Sequence, residues 1–281
     1  MEDEFAARLA TLGHPSRLAV FRLLMRRYPD HVPAGELARA LNLKPSTLSA
    51  YLAALGQAGL VNCVRHGTSL RYRVTMAGVQ RTLDTLQNEC CRGRPELCAP
   101  PGRRAHGQRS GAPAVPYKVL FICTGNSARS IFAESILRAE AGTRFDAYSA
   151  GTAPRSDLNP FAVQLLQQNG HDTSPLRAKT IAEFKTEDAP AFDFVFTVCD
   201  QAANEDCPAW SSQPISTHWG VPDPVAANGT EAQISLAFRQ AYTVLQDRIK
   251  AFAALPIEAL DPISLQQAVD QIGQHEWGPA A

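Results

Sequence analysis

The chain has 281 residues, 45% of them hydrophobic and 19% charged, with seven cysteines and a formal net charge of zero. That length points to two domains, the hydrophobic share suffices for ordinary cores, and the charged share argues against wholesale disorder. No stretch reaches the roughly 18 to 20 uninterrupted apolar residues of a membrane span. The start MEDEFAARL is wrong for a secretory signal, so the expectation is a cytoplasmic protein whose cysteines serve catalysis or metal binding.

The zero net charge conceals an asymmetry. Residues 1–98 carry 13 Lys and Arg against 8 Asp and Glu, and residues 117–281 carry 11 against 19. A basic front and an acidic back suggest two partners, nucleic acid being the natural one for the front. Between them APPGRRAHGQRSGAPAVP (99–116) has no apolar periodicity and reads as a flexible linker over 99–115, separating a domain at 1–98 from one at 116–281.

In the front domain Phe5, Leu9 and Leu12 share a helical face, and His14-Pro15-Ser16 breaks and restarts the chain into RLAVFRLLMRR. VPAGELARALN and KPSTLSAYLAALGQAGLV predict a short helix, a turn and a longer helix. VNCVRH (61–66) and LRYRV (70–74), joined by Gly67-Thr68-Ser69, predict a hairpin. A last helix carries Val79, Leu83 and Leu86 as a stripe. Helix, turn, helix and basic hairpin is a winged helix-turn-helix pattern. Ser46, Thr47, Ser49 and Tyr51 would face the major groove, and Arg65, Arg71 and Arg73 would meet phosphates. A small helical domain with a solvated basic face is the plainer alternative.

LGHPSRLAVFRLL, the ELARALNLKPSTLSAYLAALGQAGLV run and RHGTSLRYRV resemble the ArsR/SmtB family of metal-responsive repressors. The resemblance implies a dimer that leaves operator DNA when a metal or metalloid binds. Where members of that family often carry Arg-His in the recognition helix, this chain has Ala50-Tyr51, and the family's usual Cys-x-Cys pair is absent. Cys90, Cys91 and Cys98 in ECCRGRPELC would instead suit a soft, thiophilic ion such as As(III), as in some arsenite-responsive members. Incidental thiols, or a zinc site short of a ligand, are the alternatives; Cys63 reads as structural.

Beyond the linker the pattern alternates strand and helix: YKVLFIC (117–123), ARSIFAESILRAEA, FDAYSAG, a helix near 160–169, FDFVFTVC (192–199) and a helix over 231–252. This predicts an α/β fold with a doubly wound parallel sheet. Nothing definite is expected of the tail after about residue 253.

Cys123-Thr124-Gly125-Asn126-Ser127-Ala128-Arg129-Ser130 is a Cys-x5-Arg loop between a buried strand and a helix. Five residues can wrap so that backbone N–H groups face one oxyanion, with Arg129 closing the cup as a bidentate fork. Helix dipole and donors are expected to lower the Cys123 pKa and yield a thiolate, with Ser130 bonding the sulfur and Asn126 shaping the loop. Residues 117–252 resemble the low-molecular-weight tyrosine phosphatases, which implies that Asp223, in the Asp223-Pro224 pair, is the general acid.

That fold serves phosphate-ester hydrolysis and arsenate reduction. Val225-Ala226 follows Asp-Pro where phosphatases place tyrosines, and YSAG and HWGVPDP look like thiol-linked arsenate reductases of this fold. Cys199 and Cys207 together suit a redox relay that hydrolysis does not need, although a lone Cys199 could simply pack. Relatives differ in carrying a cysteine where this chain has Ala128, and the best-known members space their last pair one residue closer. The implied reductase takes arsenate to arsenite, holds no tightly bound cofactor, and draws on an external thiol reductant: thioredoxin, or glutaredoxin and glutathione. A phosphatase carrying a DNA-binding domain is the competing reading.

Overall fold

Pro15 and Pro45 each stand at the first turn of a helix, where a missing N–H costs nothing and the fixed φ is already helical. In this computed structural model, which describes residues 2–91, 115–186, 188–205, 210 and 212–275, the chain forms two units, taken one at a time. The linker expected at 99–115 lies outside the described residues apart from Val115. Among the described residues no helix is long and apolar enough to cross a membrane.

The first unit runs α1 (Glu2–Leu12), α2 (Pro15–Arg26), β1 (Val32–Pro33), α3 (Ala34–Ala40), α4 (Pro45–Gln57), β2 (Val61–His66), β3 (Ser69–Val74) and α5 (Met76–Thr85). Leu48, Leu52 and Leu55, spaced four and three apart, bring one face of α4 onto Val20, Leu23 and Leu24 of α2 and Leu37 of α3. Gly59, at φ +68, ends α4: its N–H reaches the Gly56 carbonyl and the Leu60 N–H reaches that of Leu55.

The hairpin is present, with a two-residue turn at Gly67-Thr68 rather than three. It also gains an unexpected third strand, because β1 pairs with β3 and gives the order β1-β3-β2. On α5 only Val79 packs on the core; Leu83 and Leu86 are 57% and 39% exposed, so the anticipated stripe faces outward here. A single π-helical turn, Leu86–Cys90, follows.

The second unit is a four-stranded parallel sheet in the order β5-β4-β6-β7, from β4 (Tyr117–Cys123), β5 (Phe145–Gly151), β6 (Phe194–Thr197) and β7 (Ile215–His218). Its helices are α6 (Arg129–Ala141), α7 (Pro160–Gln168), α8 (Asp200–Asn204), α9 (Glu231–Ala253) and α10 (Pro262–Gln274). Val119, Leu120, Phe121 and Ile122 of β4 have no exposed surface, as a central parallel strand covered on both faces requires. The strand expected over 192–199 is shorter, and β7 and α10 were not anticipated. Leu265, Val269 and Ile272 bury one side of α10, and the Val269 carbonyl accepts the Trp219 indole N–H at 3.0 Å.

A Cβ at Gly78 of α5 would stand 2.0 Å from the Gly59 carbonyl oxygen. Gly78→Ala must push α5 off the α4–β2 turn. We expect a loss of about 1–3 kcal/mol from the first unit, in the range of an overpacked core, read as a lower urea midpoint of the full chain.

Candidate active site

The loop that joins β4 to α6 closes around the Cys123 sulfur. Cys123 is 3% exposed; its Sγ accepts the Asn126 N–H at 3.1 Å and lies 2.9 Å from Ser130 Oγ. Asn126 holds the turn in a left-handed conformation, φ +41, which asparagine tolerates better than most residues. Its side chain is fully buried and fully bonded. Oδ1 accepts the Lys179 N–H at 2.6 Å, and Nδ2 donates to Ser130 Oγ at 2.8 Å and Ser149 Oγ at 2.9 Å. Gly151 ends β5 beneath this turn because a Cβ there would lie 2.6 Å from the Thr124 carbonyl oxygen and 3.0 Å from Asn126 Cβ.

Behind the loop is an ionic support. Ser149 donates to Glu134 Oε2 at 2.5 Å, Lys179 Nζ lies 2.8 Å from the same oxygen, and Arg138 reaches Oε1 at 2.7 Å. Glu134 and Lys179 are 3% and 8% exposed, so this carboxylate is buried with two cations and a hydroxyl as partners. Sequence reasoning missed Glu134, Lys179 and Ser149 as site residues. The available signal was the four-residue spacing of Asn126, Ser130, Glu134 and Arg138, which puts polar residues on one line of the helix.

The cup is a cavity of about 260 Å³ lined by Cys123 through Arg129 together with Ala153, Arg155, Gln201, Asp223 and Val225. Arg129 donates Nη1 to the Val221 carbonyl at 3.0 Å and pairs through Nη2 with Asp223 Oδ2 at 3.1 Å. Asp223 accepts the Val225 N–H at 3.1 Å and so caps the short 3-10 turn that Pro224 begins. Cys199, 2% exposed, stands two residues past β6, the strand adjacent to β4; its Sγ lies 3.5 Å from Thr124 Oγ1 and accepts the Ala202 N–H at 3.4 Å. It opens on a second cavity of about 480 Å³ that shares Arg129, Gln201 and Asp223 with the first.

One expectation is corrected. Burial, and then the Cys199 sulfur beside it, push the Cys123 thiol up, and the Ser130 and Asn126 bonds pull it down without reversing the direction. That direction is opposite to the lowering expected of a loop at a helix N-terminus. Cys207 lies outside the described residues.

In the first unit Ser46 and Ser49 of α4 are exposed, Thr47 is half-buried, and Ser49 donates its hydroxyl to the Pro45 carbonyl at 2.9 Å. Tyr51 packs partly on the core, its ring 5.2 Å from that of His14. Arg65 is exposed, whereas Arg71 and Arg73 are half-buried near His31, whose pKa falls through burial and then through Arg73. Cys90 is exposed and Cys91 half-buried after the π-helical turn; Cys98 lies outside the described residues.

A buried cysteine at a strand–helix junction, ringed by a short loop and an arginine, gives the second unit a thiol-containing cup whose shape and charge suit a tetrahedral oxyanion. Among known proteins, an arsenate reductase from Halalkalibacterium halodurans is 38% identical over 135 residues, which is 48% of this chain and 94% of that protein. Another from Bacillus licheniformis is 36% identical with the same coverage. The solved arsenate reductase from Archaeoglobus fulgidus covers 49% of this chain and 99% of its own at 26% identity and a TM-score of 0.41. An ArsR-like transcriptional regulator from Rhodococcus sp. RHA1 covers 35% and 90% at 28% identity and a TM-score of 0.29.

Residues 118–263 match the low molecular weight phosphotyrosine protein phosphatases, and the chain belongs to that family. Residues 12–64 match a helix-turn-helix domain, so the protein fuses such a domain to an arsenate-reductase-type domain of phosphatase fold.

The contacts at Sγ predict how Cys123 reacts. In a pH series of iodoacetamide alkylation followed by peptide mass spectrometry, Ser130→Ala removes a donor and should move the midpoint upward. Cys199→Ser removes the second sulfur and should move it down. Midpoints that stay together in all three proteins would contradict this account of the sulfur.

Proposed function

We propose that the protein reduces arsenate to arsenite at Cys123 and binds operator DNA through its front domain until arsenite releases it. The observation that carries the enzymatic half is the approach of two buried thiols, Cys123 and Cys199, linked through Thr124 at the ends of adjacent strands. Neither is held in a disulfide.

In this mechanism arsenate enters the cup with its oxygens on the loop amides and Arg129. It competes with Asp223 for that guanidinium. An arsenate oxygen takes the Cys123 thiol proton, Sγ attacks arsenic, and Asp223 passes a proton to the departing oxygen, which leaves as water. The Cys199 sulfur then attacks Cys123 Sγ, its thiol proton passing to an oxygen of the departing arsenite. The S–As bond breaks, its electron pair stays on arsenic, and arsenite departs as a Cys123–Cys199 disulfide forms. Attack by Cys207 on Cys199 frees Cys123 and leaves Cys199–Cys207 for an external thiol, thioredoxin in the first instance and glutaredoxin or glutathione otherwise. No tightly bound cofactor enters.

In the regulatory half α4 enters the major groove with Ser46, Thr47, Ser49 and Tyr51 toward the bases, and Arg65, Arg71 and Arg73 serve phosphates. The outward apolar residues Leu9 of α1, Leu83 of α5 and Leu86 of the π-helical turn that follows it support a homodimer formed by those elements. Cys90 and Cys91, with Cys98, supply three thiolates for As(III), the soft product ion, and cytoplasmic reducing conditions would keep them free.

Arsenate-dependent NADPH oxidation with thioredoxin and its reductase tests the first half. The wild-type chain should turn over, Cys123→Ser should not, and Cys207→Ser should complete one turnover and stop. Hydrolysis of p-nitrophenyl phosphate without arsenate turnover would make the protein a phosphatase instead. For the second half, arsenite titrated onto DNA-bound protein in a mobility-shift assay should release the DNA. A double Cys90→Ser, Cys91→Ser variant should stay bound; release from that variant at the same arsenite concentration would remove these thiols from the sensor.

A further inference from the structure

We propose that Arg155 is a second anion-binding residue of the cup, one that grips the outward oxygens of a doubly charged tetrahedral oxyanion while the loop amides and Arg129 hold the inner ones. The proposal rests on the reading of the loop as an oxyanion site. Its foundation is how firmly Arg155 is placed. After β5 the chain runs alongside the loop and bonds to it in steps: Thr152 N–H to the Cys123 carbonyl at 3.1 Å, Ala153 N–H to that of Thr124 at 3.0 Å, and Arg155 N–H to that of Gly125 at 3.0 Å. An exposed loop residue is thereby tied to the same backbone that forms the cup.

Gly125 is the neighbour of the Arg155 side chain in the cup. A Cβ there would sit 3.6 Å from both Cγ and Nε of Arg155, ordinary contact distance, so the arginine side chain lies against the loop at Gly125 as it lines the cavity. The other cation of the cup is already engaged, since Arg129 spends Nη1 on the Val221 carbonyl and Nη2 on Asp223. Among the described residues the Arg155 guanidinium has no hydrogen bond or ion pair, so its donor fork is available to a ligand. Two guanidiniums facing one cavity favour a dianion over a monoanion, and an exposed one also raises the capture rate of anions at low ionic strength.

Calorimetric titration of the full chain with inorganic phosphate, beside steady-state arsenate kinetics, tests this. Arg155→Ala should weaken phosphate binding by about tenfold, the low end for a charge-assisted contact. It should raise the arsenate KM by a similar factor, with a much smaller effect on kcat. Arg155→Lys should restore most of the affinity, and Arg239→Ala, which removes an exposed arginine of α9, should bind phosphate like the wild type. Unchanged phosphate affinity in Arg155→Ala overturns the proposal, and so does a wild-type chain that binds no phosphate. Tight phosphate binding that depends on Arg155 in a protein that reduces no arsenate would instead uphold the proposal and reject the reductase.

Discussion

The orientation of one buried amide governs the site. Asn126 must present Oδ1 to the Lys179 N–H, because a reversed amide would set its own NH₂ against that donor. Nδ2 therefore faces Ser130 and Ser149, and both hydroxyl oxygens act as acceptors. Each serine is left with one hydrogen to give: Ser149 gives it to Glu134, and Ser130 gives it to the Cys123 sulfur. A turn that most residues would resist, at φ +41, is thus paid for by bonds that also aim a donor at the nucleophile. The Lys179–Glu134–Arg138 cluster behind it compensates the buried carboxylate to which the chain of bonds leads.

The parallel sheet supplies the rest by topology. Strands that run the same way end on the same edge, so β4 and β6, paired from Val119 with Phe194 to Ile122 with Thr197, deliver Cys123 and Cys199 to one place from positions 76 residues apart. Antiparallel neighbours would have set the two strand ends at opposite edges. The same edge receives Asp223 from beyond β7, and the N-terminus of α6 faces it. Catalytic groups gathered outside the carboxyl ends of strands follow from this layout.

What the sequence made legible was the part written in local pattern. The boundaries of β2, β4 and β5 follow from unbroken or alternating apolar runs, and the Cys-x5-Arg loop follows from a strand that ends in Cys123. The tail was opaque because Pro256 and Pro262 read as loop, although Pro262 is the first residue of α10 with Asp261 as its cap. β7, only Ile215–His218, is too short to show periodicity. Of the site, Cys123, Asn126, Ser130, Arg129 and Cys199 were visible. Glu134 and Lys179 were not, since one of the two glutamates of a helix and a single Lys in a loop show their pairing only once the fold buries them together. Arg155 was hidden for a related reason: its place depends on backbone bonds between two loops.

The second sulfur separates the two chemistries this fold can host. Cys199 raises the cost of ionising Cys123, so for hydrolysis it is a burden: a phosphatase needs one thiolate and gains from any change that makes it easier to form. Reduction needs the opposite. Two electrons must leave sulfur for arsenic, and they can do so only if a second sulfur stands close enough to bond to the first as the S–As bond breaks. In the proposed mechanism, the neighbour that disfavours ionisation of Cys123 is the sulfur that would form the disulfide. Under the proposed mechanism, a site that accepts this electrostatic cost and keeps the thiol pair suits electron transfer better than ester cleavage.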